Sequence, residues 1–214
     1  MPVIAILNEA GLTPAEMKLM LAAITKFVPK VTQPWGCEAV TITDTATATS
    51  WNVHITSANR HTGALGYHDK NSKGIPYAYC LPGTAYNRFG NYHKPLIVKG
   101  KTVIAELLRP GTLSVICHEI AEMLGDPLIQ TVSMQDKNGH QWLVEIADPV
   151  AGVSYMEIIN GTPCIFPDVV LPSFYDIEGK PPYSLANNPI APFTIKSPKG
   201  YAYWRNALGK FIKI

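Results

Sequence analysis

The sequence predicts a loop-rich α+β protein. Two amphipathic helical patterns, at 13–28 and 112–125, stand among alternating runs of strand character. The 18 prolines and 16 glycines in 214 residues punctuate these runs with turns. That length suits one domain spanning 1–214. With 47% hydrophobic and 16% charged residues, the chain has enough apolar surface to build a sizeable core.

The first helix announces itself clearly. Thr13 is a capping residue, Pro14 fits the first helical position and Glu16 completes a capping box. Apolar residues at 17, 20, 21, 24 and 28 lie on one face, which packs on a sheet. Strands are expected at 38–44, 51–57 and 76–80, with "DKNSKGI" turning before the last of these. Residues 95–108 fit either a strand pair or a strand followed by a helix. The second helix, 112–125, ends at Gly125 and is barred from continuing by Pro127. Two hairpins follow, turning at Asn138-Gly139 and Asn160-Gly161, and the tail 192–204 reads as another.

Charge and composition exclude several classes. The net charge is +2 and the basic residues form no stripe, which argues against nucleic-acid binding. No apolar run approaches the roughly 18 residues of a membrane span, and the amino terminus lacks the basic start of a signal peptide. A cytoplasmic or virion-associated placement is the expectation. Cys37, Cys80, Cys117 and Cys164 are widely spaced, so free thiols are expected rather than a disulfide framework or a cysteine metal site.

The chemistry concentrates in "SVICHEIAEMLGDP", residues 114–127. On a helical wheel Leu113, Ile116, Ile120, Met123 and Leu124 share one side. His118 and Glu122, four residues apart, share the opposite one. Residues at this spacing can offer two donors to one cation, and the glutamate between them can take a proton from a metal-bound water. Metalloprotease helices of the form His-Glu-x-x-His use two histidines for this. Here Glu122 stands at the second position, and Glu119 is the candidate general base. A carboxylate in the ligand set weakens the metal as a Lewis acid and admits harder ions, so zinc is the first expectation, with manganese and calcium open. The bland alternative is a surface helix bearing two glutamates and a histidine. Against it, the helix is apolar elsewhere, and charges on a buried helix need partners.

The third ligand is open among Asp126 at the helix exit and Glu145 and Asp148 in "LVEIADPVAG". A strand through 143–146 would turn Glu145 to the face opposite Val144 and Ile146. Asp126-Pro127 and Asp148-Pro149 also read as turn starters. Cys117 points away from His118 and reads as core. His54, His61, His93 and His140 read as structural or exposed, and Tyr67 and Tyr155 as packing or oxyanion donors.

"CHEIAEMLGDP" followed by "VEIADPV" resembles a group of poorly characterised zincin-like proteins of bacterial and phage genomes. "ALGYHDKNSKGIPYAYC", "FPDVVLPSFYD" and "PFTIKSPKGYAYW" match further segments of that group in the same order, so the resemblance covers roughly 64–204. It implies a zincin-like fold with an active-site helix beneath a mixed sheet, the helix breaking at Gly125. It also implies one polar site containing His118, Glu119, Glu122, Asp126, Glu145 and Asp148. It favours a role for His68 in orienting substrate or stabilising an oxyanion, against a plain turn at His68-Asp69. The expected function is a metal-dependent, peptidase-like hydrolase acting on a peptide or protein substrate. The alternative is an inactive zincin-like structural protein, a phage virion component contacting other virion proteins. A third reading pairs Glu119 with Glu145 for carbohydrate chemistry.

Overall fold

The chain was described as a computed structural model covering residues 1–57, 64–82, 88–93, 96–98, 101–104, 107–129, 132–189, 191–197, 199–206 and 208–214. The elements begin with β1 (Val3–Asn8), α1 (Pro14–Trp35), β2 (Thr41–Thr43), β3 (Trp51–Ile55), β4 (Gly66–Lys70) and β5 (Pro76–Cys80). These five strands form one mixed sheet in the order β2-β1-β3-β5-β4. Strand β1 pairs in parallel with β2 and β3, and β3 with β5, while β4 is antiparallel to β5 at the edge. The interior strand β1 carries an unbroken apolar run with Ile4, Ala5 and Ile6 fully buried. It lacks the alternation that marks a half-exposed strand, as expected where both faces are covered.

Helix α1 begins with the expected capping box at Thr13 and Glu16. It runs past the expected stop at 28, through Pro29 and Pro34, to Trp35. The prolines each remove one helical hydrogen bond. The extension continues the buried face through Val31 and Thr32, and the Trp35 indole donates to the Val170 carbonyl at 3.1 Å. Apolar burial outweighs the local breaker here.

Beyond the sheet come β6 (Asn91–His93), β7 (Leu96–Val98), β8 (Lys101–Ile104) and β9 (Leu107–Arg109). Strands β7 and β8 pair, so of the two readings of 95–108 the strand pair holds for its described residues. Helix α2 (Thr112–Gly125) follows, packed against α1, β4 and β5. Both Asn-Gly hairpins form as expected: β10 (Ser133–Gln135) with β11 (Gln141–Leu143), and β12 (Ser154–Ile159) with β13 (Thr162–Pro167).

The tail differs from expectation. The hairpin pairs β14 (Tyr203–Arg205) with β15 (Phe211–Lys213), and β14 also joins β11. Residues 192–197 are drawn away from any ladder because Phe193 packs on Trp142, Phe174 and Tyr175. The hydrophobic core gathers residues of both helices, the mixed sheet and β13 into one cluster. No helix among the described residues is long and apolar enough to cross a membrane.

Candidate metal centre

Helix α2 is buried nearly all round. Its apolar side meets α1 and β13, and its polar side faces the edge strand β4 and the segment 143–150. The surface-helix alternative is therefore excluded. Glu119, Glu122, Glu145 and Asp148 retain 5%, 3%, 6% and 4% of their exposure, so four carboxylates are taken out of water in one region. Burial on that scale demands partners.

Two histidines supply them. From β4, His68 Nδ1 lies 3.0 Å from Glu119 Oε2 and 3.2 Å from Glu122 Oε2, and its Nε2 lies 3.4 Å from Glu145 Oε2. From α2, His118 Nε2 lies 3.2 Å from Glu122 Oε1 and 3.4 Å from Asp148 Oδ1. Two sets of donors close enough to hold a metal ion result: His68, Glu119 and Glu122, and His118, Glu122 and Asp148. Within each, the ligand atoms lie within 4.8 Å of one another. Among the described residues, Glu122 Oε1, Glu145 Oε2 and Asp148 Oδ1 accept no hydrogen bond despite being buried. They approach the imidazoles closely without the alignment of a hydrogen bond.

The electrostatics show the strain of this crowding. Burial opposes a charge on His68, yet its hydrogen bond with Glu119 and its close contacts with Glu122 and Glu145 outweigh that and raise its pKa well above the ordinary value. Burial likewise opposes a charge on His118, but the Glu122 charge and the contacts with Asp148 raise it well above ordinary. Burial pushes Glu122 up, but the two imidazoliums dominate and hold its pKa far below the usual carboxylate range. Glu145 goes the other way: burial lifts it to about 7, with the Glu122 and Asp148 charges adding to the effect against His68. Asp148 is lifted to about 6 by burial and by Glu122, against the lowering influence of His118 and Tyr201.

Comparison with known protein families, curated proteins and solved structures finds no match to this chain. The reading of the site therefore rests on its own geometry.

That geometry brings together six of the seven residues singled out in the sequence. Asp126 is the exception. Helix α2 stops at Gly125, and Asp126 adopts φ −139°, which turns it out of the helical register that would have set it beside Glu119. Its carboxylate instead accepts from the backbone N–H groups of Leu128 at 3.2 Å and Val132 at 2.9 Å, bracing the exit loop. Glu145 also sits differently from expectation. Strand β11 ends at Leu143, so the strand alternation does not apply, and residues 143–150 are buried throughout on their way into the short 3₁₀ turn Asp148–Val150.

His68 lies on a strand rather than in a turn, and its imidazole belongs to a donor set. Cys117 is fully buried and free, as are Cys80 and Cys164, while Cys37 is free and half-buried. His54 pairs with Glu9 and His140 with Asp136, both outside the site. His93 lies on β6, and His61 lies outside the described residues. Tyr67 stacks on Tyr79 and Tyr155 on Phe166.

Two residues important to the site were not singled out. The Tyr201 side chain lies near enough to Asp148 for their electrostatics to couple, and its backbone N–H donates to the Asp148 carbonyl at 3.0 Å. Its only signal was its place in the tail segment "GYAYW". Gly66 is the other. A Cβ there would lie 2.5 Å from Glu119 Oε1 and 2.7 Å from Val115 Cγ1, so a side chain is excluded where β4 crosses α2. Gly66→Ala is expected to push Glu119 off His68 and destabilise the fold by about 1–3 kcal/mol. Thermal melts will check the second effect. Wild-type stability in that variant would show that the helix–strand approach is looser than described.

A cleft of about 630 Å³ opens over the amino-terminal half of α2, lined by Gly66, Ser114, His118, Glu119, Tyr201 and Lys199 among others. His118 and Glu119 thus face space that a substrate can enter. Glu145 does not line the cleft, and it shares His68 with Glu119. The carbohydrate pairing of those two carboxylates accordingly finds no support.

Proposed function

We propose that this chain is a metal-dependent hydrolase of the peptidase type, its zincin-like character carried by the helix that presents His118, Glu119 and Glu122. The observation that carries the reading is the set His118, Glu122 and Asp148 beside the cleft, with buried oxygens of Glu122 and Asp148 lacking hydrogen bonds. One imidazole and two carboxylates suit zinc, and manganese next; calcium, which prefers six to eight oxygens, fits a histidine set poorly. An ion held there supplies Lewis-acid polarisation of a carbonyl and acidifies a bound water.

The chain's own residues do the rest. Glu119 accepts the proton of the attacking water as the new C–O bond forms. It returns that proton to the amine nitrogen as the C–N bond breaks. Its Oε2 is held by His68 at 3.0 Å, which leaves Oε1, beside Gly66 at the cleft wall, to do so. Tyr201, on the same cleft, braces the Asp148 backbone by donating its N–H to the Asp148 carbonyl.

Glu119→Gln keeps the shape and removes the base. With metal content verified, it should lower hydrolysis of an unfolded protein substrate by about a hundred- to ten-thousandfold. Peptidase activity retained in this variant would sink the mechanism.

The burial of Glu122, Glu145 and Asp148 favours a second reading, in which a cation only braces the fold of an inactive protein, such as a virion component. Under that reading chelation lowers the melting temperature, and no hydrolysis is seen in metal-loaded wild type.

A further inference from the structure

Glu122 divides its two oxygens between two histidines. Oε1 faces His118 and Oε2 faces His68. A carboxylate that offers one oxygen to each of two donor sets is placed as a bridge. The sets it joins are of matching kind: an imidazole nitrogen and a second carboxylate complete each one, Asp148 on one side and Glu119 on the other.

The distances suit small divalent ions. With bonds near 2.1 Å, neighbouring ligand atoms sit about 3.0 Å apart in octahedral and about 3.4 Å apart in tetrahedral geometry. The imidazole-to-carboxylate separations are 3.0 and 3.2 Å in the His68 set and 3.2 and 3.4 Å in the His118 set. The outer partner of His68 fits as well. A histidine that binds metal through one ring nitrogen commonly presents the other to a carboxylate. Here Glu145 Oε2, buried and without a hydrogen bond, faces His68 Nε2 at 3.4 Å.

The charge count points the same way. Fully ionised, the four buried carboxylates carry four negative charges, and their cationic ion-pair partners among the described residues are His68 and His118. With both imidazoles neutral, as metal ligands must be, one divalent ion leaves two charges uncompensated in a dry region. Two ions balance all four.

We infer that the site holds two divalent cations bridged by Glu122, one on His118 and Asp148 and one on His68 and Glu119. This rests on the hydrolase reading for its first ion and adds the second. It makes His68 a ligand rather than a substrate-orienting residue. Glu119 Oε2 takes the second ion while Oε1 keeps its place at the cleft.

The test uses the whole chain, stripped with chelator and titrated with manganese. Bound metal is counted by mass spectrometry, and spin coupling is read by electron paramagnetic resonance. The expected result is two ions per chain with an exchange-coupled signal, since bridged pairs sit about 3.5–4 Å apart. His68→Ala should fall to one ion and lose the coupling. One ion per chain in wild type, or two without coupling, overturns the bridged pair and leaves the one-ion hydrolase reading standing. No bound ion overturns both. The wild-type signal decides the matter even if the His68 variant does not fold.

Discussion

Stripped of divalent ions, the protein is expected to lose stability as the pH rises from about 5 to 8. Glu145 titrates near 4.5 when exposed and near 7 in the fold. Between those values the folded chain holds the extra proton, so raising the pH favours unfolding. A tenfold change in proton affinity is worth about 1.4 kcal/mol, which makes this one group's contribution about 3 kcal/mol. Asp148, moved from 3.8 to about 6, acts in the same direction over a lower window. His68 and His118 are raised well above 6.5. Their stabilisation is complete below that value and is lost as the pH climbs through their folded pKa. Glu122 has the opposite sign: its contribution is present above 4.5 and disappears on acidification.

The metal-free optimum therefore lies near pH 5, and the melting temperature should fall by roughly 10 °C by pH 8 in a chain of this size. Saturating zinc should flatten or reverse this slope, because binding stabilises the folded state and strengthens as protons leave the ligands. Calorimetry with and without chelator across that range provides the check. A metal-free melting temperature that rises from pH 5 to 8 would contradict the described site.

The second large effect is expected at Glu122. Glu122→Gln removes a charge that both imidazoles share and the oxygen pair that serves both donor sets. Leaving a buried charge without its partner costs about 3–5 kcal/mol, equivalent to a loss of about a hundred- to several-thousandfold in metal affinity. Hydrolysis should disappear with the metal. Asp126→Asn is the matched control. It lies four residues along the same segment, yet its carboxylate accepts from the backbone of Leu128 and Val132 in the exit loop. It should cost about 1–3 kcal/mol of stability while leaving metal content unchanged. Equilibrium dialysis of the two variants separates these outcomes. Equal metal loss in both would mean that the acidic cluster acts as a diffuse charge rather than through defined ligands.

Much of the site was legible because helix geometry is regular. The spacing of His118, Glu119 and Glu122 sets their angular relation on any helix, and the apolar residues around them foretold burial. The Asn-Gly pairs specified both central hairpins for the same reason: a tight turn, of two residues at Asn160-Gly161 and of three at 137–139, depends on local backbone preference. The limits of α1 were not legible, since Pro29 and Pro34 signal a stop that the buried face of Val31 overrides. Nor was β1, whose unbroken apolar run has no period to read.

By itself, then, the sequence determined an α+β chain with a charged triplet on a buried helix and acidic residues downstream. Tertiary structure decided which of those acids matter. It ended α2 at Gly125 and sent Asp126 to a loop, broke the strand after Leu143 so that Glu145 could reach His68, and laid the edge strand β4 across α2 at a glycine. Contacts between residues far apart in the chain follow from how whole layers pack, and no local spacing encodes that. The same packing set one oxygen of Glu122 toward each histidine, a division that only the assembled fold could make.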